Sequence, residues 1–255
     1  MTSSAPSPSS SFLTNRVKGK VVLITGASGG IGRSTALLFA SMGAHVVITA
    51  RRLDVLNTVA EECRASGKQS GFDVKVHAAA LDMQKRSDID RFVSSGLPDW
   101  AQSNVDVLVN NAGLVFGTDP VGKIDPDESE WEEDQATEVS HPDLTHHPHI
   151  HPVDTMIQTN VTGLIHLTQL FVKDFKKRNH AGHIIQLGSV AGRMPYANGS
   201  IYCATKHAVR AFTNALHQEL VDTPIRVSEV QPGMVETNFS VTRYRGDQAA
   251  ADKGE

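Results

Sequence analysis

The chain has 255 residues, 40% of them hydrophobic and 20% charged, which suits one α/β domain with a sizeable core. Aromatic content is only 5%, but Leu, Ile, Val and Ala are plentiful, so wholesale disorder is excluded. A net charge of −4 argues against nucleic-acid binding by bulk electrostatics, and no apolar run approaches the ~20 residues that span a bilayer.

The first residues are rich in Ser and Pro and lack an apolar signal core, so residues 1–17 read as a disordered tail. From Lys20 onward short apolar runs alternate with amphipathic stretches. Strands are predicted at 21–25, 45–50, 74–81, 105–110, 183–188 and 225–230, and helices near 31–42, 52–66, 85–95, 153–178 and 202–221. This alternation predicts a doubly wound parallel α/β sheet with helices on both faces. The long helix shows an inward stripe of Met156, Ile157, Val161, Leu164, Leu167 and Phe171 at three- and four-residue spacing.

One segment breaks the alternation. Residues 125–138 carry eight acidic groups and no basic one, so without them the net charge of −4 becomes +4. The following HPDLTHHPHIHP holds five of the twelve histidines among three prolines, which exclude a regular helix or central strand. Residues 125–152 therefore read as a polar loop interrupting a domain at 18–245, with a polar tail at 246–255. Clustered imidazoles could bind Zn, Ni or Cu, but no second-shell partner is evident, and no metal site is assigned. Cys63 and Cys203 lie far apart without metal or disulfide spacing, which fits a reducing, cytoplasmic setting.

The segment VVLITGASGGIGRSTALLFA reads strand, glycine turn, helix. Gly26, Gly30 and Gly32 would let the backbone approach a pyrophosphate, with Ser28 and Ile31 in the same turn and the helix N-terminus facing the anion. That context predicts a Rossmann-type dinucleotide site. An acidic residue at the end of the second strand usually selects NAD. Here Arg51 and Arg52 stand there, and two guanidiniums suit the 2′-phosphate of NADP. Tyr202 and Lys206 stand four residues apart on one helix face, where an ammonium and the positively charged oxidised nicotinamide would both favour the phenolate of a tyrosine with an ordinary pKa of about 10.

These motifs resemble, as an ordered set, the short-chain dehydrogenase/reductase family: TGASGGIG at 25–32, NNAG at 110–113, NVTG at 160–163, LGSVAGR at 187–193, YCATK at 202–206 and PGMVET at 232–237. Within it, LGSVAGRMPYANGSIYCATKHAV and PGMVETNFSVTRYRGD are similar to NADP-dependent 3-hydroxy acid dehydrogenases, a branch that includes enzymes acting on serine and allo-threonine. The resemblance implies an NADP-dependent oxidoreductase with Asn160, Ser189, Tyr202 and Lys206 as its catalytic set. Ser189 and Tyr202 would also hold a small-molecule substrate. It further implies that Asp82 reaches the adenine, that Asn111 lines the cofactor cleft, and that Val235 and Thr237 address the carboxamide. Tyr202 would exchange the proton of the substrate hydroxyl, and Asn160 would hold a water linking Lys206 to solvent. Arg193 and Arg243 are candidate partners for a substrate carboxylate.

Two departures from the family stand out. Gly113 and Asn160 lie 47 residues apart, about two dozen more than the family uses, and the usual seventh strand is missing. They raise the alternative of an NADP-binding pseudo-enzyme or interaction scaffold. Family members commonly form homodimers or homotetramers through helices that here begin near Val153 and Tyr202. Neither a membrane nor a nucleic acid is an expected partner.

Overall fold

The computed structural model describes residues 16–124, 152–235, 237–244 and 249. Most of the acidic and histidine-rich stretch at 125–152 and nearly all of both expected tails lie outside the described residues. The chain is already in a helical turn at Arg16 and Val17, where Lys20 N–H donates to the Val17 carbonyl at 3.0 Å.

Six parallel strands form one sheet: β1 (Val21–Thr25), β2 (His45–Ala50), β3 (Val76–Ala80), β4 (Val107–Asn110), β5 (His183–Leu187) and β6 (Arg226–Val230). Their order is β3-β2-β1-β4-β5-β6, the order of a Rossmann-type domain. The order reverses direction between β1 and β4, and ligands of such sheets bind beyond the carboxyl ends of the strands at that point. Among the described residues β6 pairs with β5 alone.

The helices are α1 (Gly30–Ser41), α2 (Leu53–Gln69), α3 (Arg86–Arg91), α4 (Pro152–Ile157), α5 (Leu164–Arg178), α6 (Ser200–Glu219) and α7 (Asn238–Arg243). Two apolar layers sandwich the sheet. On one face Ile24, Val46 and Ile48 pack with Ala36 and Ala40 of α1 and Leu56 and Cys63 of α2. On the other, Leu23, Leu108 and Ile184 pack with Leu167, Phe171 and Phe175 of α5. Every residue of β1 is buried, as expected of a strand covered on both faces.

The long predicted helix is divided: α4 and α5 flank a π-helical turn at Gln158–Gly163. Inserting a π turn rotates the residues before it relative to those after it. Ile157, expected on the inward stripe, is consequently 43% exposed and Val161 only half-buried, whereas Met156, Leu164, Leu167 and Phe171 are buried. α5 ends where Asn179 turns left-handed at φ 48°, with Lys176, Lys177 and Arg178 in the last turn. Three cations there complement the negative end of the helix dipole.

Candidate active site

The phosphate turn is built by close packing. Gly26 and Gly30 have φ of +66° and +51°, a region that disfavours side chains. A Cβ on Gly32 would lie 2.4 Å from the Gly26 carbonyl oxygen and 2.4 Å from Asn111 Nδ2. Asn111, at the end of β4, donates from Nδ2 to the carbonyls of Thr25 at 2.8 Å and Gly26 at 3.0 Å. Thr25 answers from the other side, its hydroxyl accepting from the backbone N–H groups of Asn111 at 3.1 Å and Ala112 at 3.0 Å. Asn111 thus clamps the turn to β4, and Thr25, which sequence reasoning missed, is the other half of the clamp. The signal for Thr25 was a polar residue closing an otherwise apolar strand.

The turn fits a pyrophosphate. The N-terminus of α1 has no side-chain cap at Gly29, which leaves its first backbone N–H groups free for an anion. Ser28 and Ile31 flank this end half-buried. At the end of β2, Arg51 and Arg52 are exposed, and neither forms an ion pair among the described residues. Asp82, just past β3, accepts from Gln84 N–H at 3.0 Å, with Lys85 3.7 Å away. Thr237 rests on the turn itself, since a Cβ on Gly30 would stand 3.2 Å from its methyl carbon. Val235 is 41% exposed at the same rim.

Beside the turn, β5 and α6 present the chemistry. Ser189 follows β5 in extended conformation, 8% exposed, and its oxygen accepts from Ala191 N–H at 3.1 Å. Tyr202 and Lys206 are both buried on α6, with Lys206 Nζ 5.8 Å from the Tyr202 ring centre. Lys206 Nζ donates to the Leu187 carbonyl at 2.9 Å, and burial pulls its pKa down to about 8.

With the ammonium alone, and before the charge expected of the nicotinamide, the tyrosine is not eased. Burial of the 7%-exposed ring pushes its pKa up, and a hydrogen bond with Ser189 pulls the other way. The physical reason is desolvation, which penalises a phenolate more than the polar neighbours repay.

Asn160 sits in the π turn, a geometry often found at functional sites. Its Oδ1 accepts from Leu114 N–H at 2.9 Å, and its Nδ2 donates to the Leu114 carbonyl at 2.8 Å and to Thr205 Oγ1 at 3.2 Å. A Cβ on Gly113 would stand 3.3 Å from Asn160 Oδ1 and 3.6 Å from Lys206 Nζ. Gly113 therefore marks where the NNAG strand end, the π turn and α6 meet. The Asn160 amide is committed to holding the strand end, in a place where asparagine has low helix propensity.

The two candidate arginines separate. Arg193 is exposed. Arg243, on α7, lies 5.8 Å from the Tyr196 ring centre and 5.9 Å from that of Phe239, and Phe239 packs edge-on against Tyr202 at 5.7 Å. The Arg243 Nε is buried without a hydrogen-bond partner among the described residues. Tyr196 is the second residue that sequence reasoning missed. A cleft beside Tyr202 is lined by Val115, Phe116, Met156, Asn198 and Ile201.

The profile of the short chain dehydrogenases matches residues 20–248, almost the whole described fold. This chain belongs to that family. Among short-chain dehydrogenases it is 38% identical to the NADP-dependent 3-hydroxy acid dehydrogenase of Schizosaccharomyces pombe over 239 residues, covering 93% of this chain and 80% of that one. It is 36% identical to sulfoacetaldehyde reductase 2 of Chromohalobacter salexigens over 91% of this chain and 79% of the relative. Its fold superposes on the closed form of serine dehydrogenase complexed with NADP+ with a TM-score of 0.73 at 34% identity, covering 91% of this chain and 80% of that structure. Among the described residues no helix is long and apolar enough to cross a membrane, and no cluster of His, Cys, Asp or Glu could hold a metal.

Proposed function

We propose that this chain is an NADP-dependent dehydrogenase acting on the hydroxyl of a short 3-hydroxy acid such as serine or allo-threonine, working in the cytoplasm. The observation that carries the reading is Arg243: a guanidinium whose buried Nε has no partner among the described residues, set against Tyr196 and Phe239 beside Tyr202. A buried donor of that kind asks for an acceptor, and a carboxylate meets a guanidinium through charge-assisted hydrogen bonds.

The geometry supports the following roles. Ser189 donates to the substrate oxygen and stabilises its developing negative charge. Tyr202 takes up the hydroxyl proton during oxidation and returns it during reduction. Lys206 places an ammonium under the phenol, and Asn160 holds the Leu114 backbone against this pair. Gly26, Gly30 and Gly32 with the α1 N-terminus seat the pyrophosphate, while Arg51 and Arg52 receive the 2′-phosphate. When bound, oxidised NADP supplies the hydride acceptor and a positive charge that offsets the desolvation of the phenolate.

Two independent features favour NADP over NAD: the free arginine pair at the β2 end and the NADP-dependent relatives. The test compares NADP and NAD in the wild type and in Arg51→Ala/Arg52→Ala. The NADP preference should fall by about 10- to 100-fold, the range for losing one or two charge-assisted contacts, with NAD turnover little changed. An unchanged preference would remove the two arginines from cofactor choice. We further infer a homo-oligomer built through α4, α5 and α6, which sedimentation equilibrium would test.

A further inference from the structure

β6 brings a charge beneath the site that none of these roles uses. Asn110, Gln186 and Glu229 are neighbours in register across β4, β5 and β6, so their side chains form one row on the sheet face covered by α5 and α6. Asn110 Nδ2 and Gln186 Nε2 both donate to Thr168 Oγ1, at 2.8 and 3.1 Å. Glu229 ends the row, and its Oε1 is buried without a hydrogen-bond partner among the described residues. The carboxylate lies over Gly188, where an added Cβ would meet Oε1 at 2.1 Å. Gly188 adjoins Leu187, whose carbonyl holds Lys206 Nζ at 2.9 Å. A missing side chain at Gly188 is what admits the carboxylate to this place.

We propose that Glu229 is the counter-charge of Lys206, a positioning residue that keeps the buried amine as an ammonium under the tyrosine. Burial alone favours the neutral amine, and the Glu229 charge works against it, holding the lysine at about 8. The neighbours recorded for the amine fit this assignment. The Leu187 carbonyl accepts from it, Asn160 and Gly113 beside it are neutral, and Tyr202 offers a ring face. Arg243, Tyr196 and Cys203 act on Tyr202, and among the described residues the charge acting on Lys206 is that of Glu229.

The inference borrows the Lys206 role from the proposed function, so its test needs no substrate. In protein carrying 13C at lysine Cε, the Lys206 signal is assigned by its loss in Lys206→Arg and titrated with pH. The wild type should titrate near 8. In Glu229→Gln, which keeps the shape and removes the charge, the midpoint should fall by about one pH unit or more, the size of one charge acting through a partly buried medium. Glu229→Asp withdraws the charge by one methylene and should fall between the two. If Glu229→Gln does not fold, the intermediate shift in Glu229→Asp decides. An unchanged midpoint in either folded variant overturns the proposal. Should the chain also turn over a 3-hydroxy acid, the alkaline limb of its kcat/KM profile would move with the amine, whereas a merely structural defect would lower kcat at every pH. Absence of turnover with a shifted midpoint would count against the substrate reading and leave the counter-charge standing.

Discussion

The two halves of the sheet are built on opposite terms. β1, β2 and β3 carry apolar or small side chains at their centres, and their partners Ala36, Ala40, Leu56 and Cys63 make a dry layer with α1 and α2. β4, β5 and β6 carry Asn110, Gln186 and Glu229 across the same level of the sheet, and each holds one buried oxygen with no partner among the described residues. The first half is an apolar platform that presents backbone N–H groups and an arginine pair. The second keeps an apolar layer of Leu108 and Ile184 against α5 but buries this polar row within it, beside the hydroxyl, phenol and amine. Both halves contribute to the core, but the buried polar row and the chemistry belong to one of them, as expected where function is allowed to violate the rules of a good core.

Packing in the apolar half gives the largest expected effect on stability. Ile24→Ala empties a fully buried site in β1, on the face covered by α1 and α2, and should cost about 2–5 kcal/mol in denaturant unfolding. A smaller loss would mean that this half is less closely packed than its burial implies. Thr168→Val probes the polar half. It keeps the shape but strands the amides of Asn110 and Gln186, and about 1–3 kcal/mol should be lost. A neutral result would show that the polar row is held by something other than Thr168.

The smallest effect lies at the amino ends of β5 and β6, away from the site. His183 bonds Ser228 Oγ at 2.9 Å, and burial pulls its pKa from 6.5 down to about 4. Above 6.5 the ring is neutral in both folded and unfolded chains, so it adds no pH dependence. As pH falls from 6.5 towards 4 the unfolded chain takes up a proton that the folded chain resists, and stability drops. His183→Gln should therefore narrow the gap between the thermal midpoints at pH 7.5 and pH 5. A gap of the same width would assign the acid sensitivity elsewhere.

Much of this division was legible in the sequence, for reasons that differ by element. Strands buried on both faces announce themselves as apolar runs, and the glycine turn must be glycine because Gly32 has no room for a Cβ. Tyr202 and Lys206 are tied by helical spacing, so their shared face could be read directly. The π turn could not be read, because a one-residue change of winding leaves no periodic mark over six residues; Ile157 was misplaced for that reason. Thr25, Tyr196 and Glu229 matter through neighbours distant in sequence, which only the folded register supplies. The two arginines looked alike along the chain, and only the packing of α7 on Tyr196 and Tyr202 distinguishes Arg243.

The chemistry assigned to the polar half converges on the phenol of Tyr202, and its most direct test is NADPH formation with serine, allo-threonine and other short 3-hydroxy acids. Wild type and Tyr202→Phe should be compared at equal thermal stability. Turnover in the wild type should fall by about 10²–10⁴-fold in the variant, the range for losing a positioned acid–base group. Equal turnover in both proteins would contradict the role given to Tyr202 and, with it, the assignment of the site.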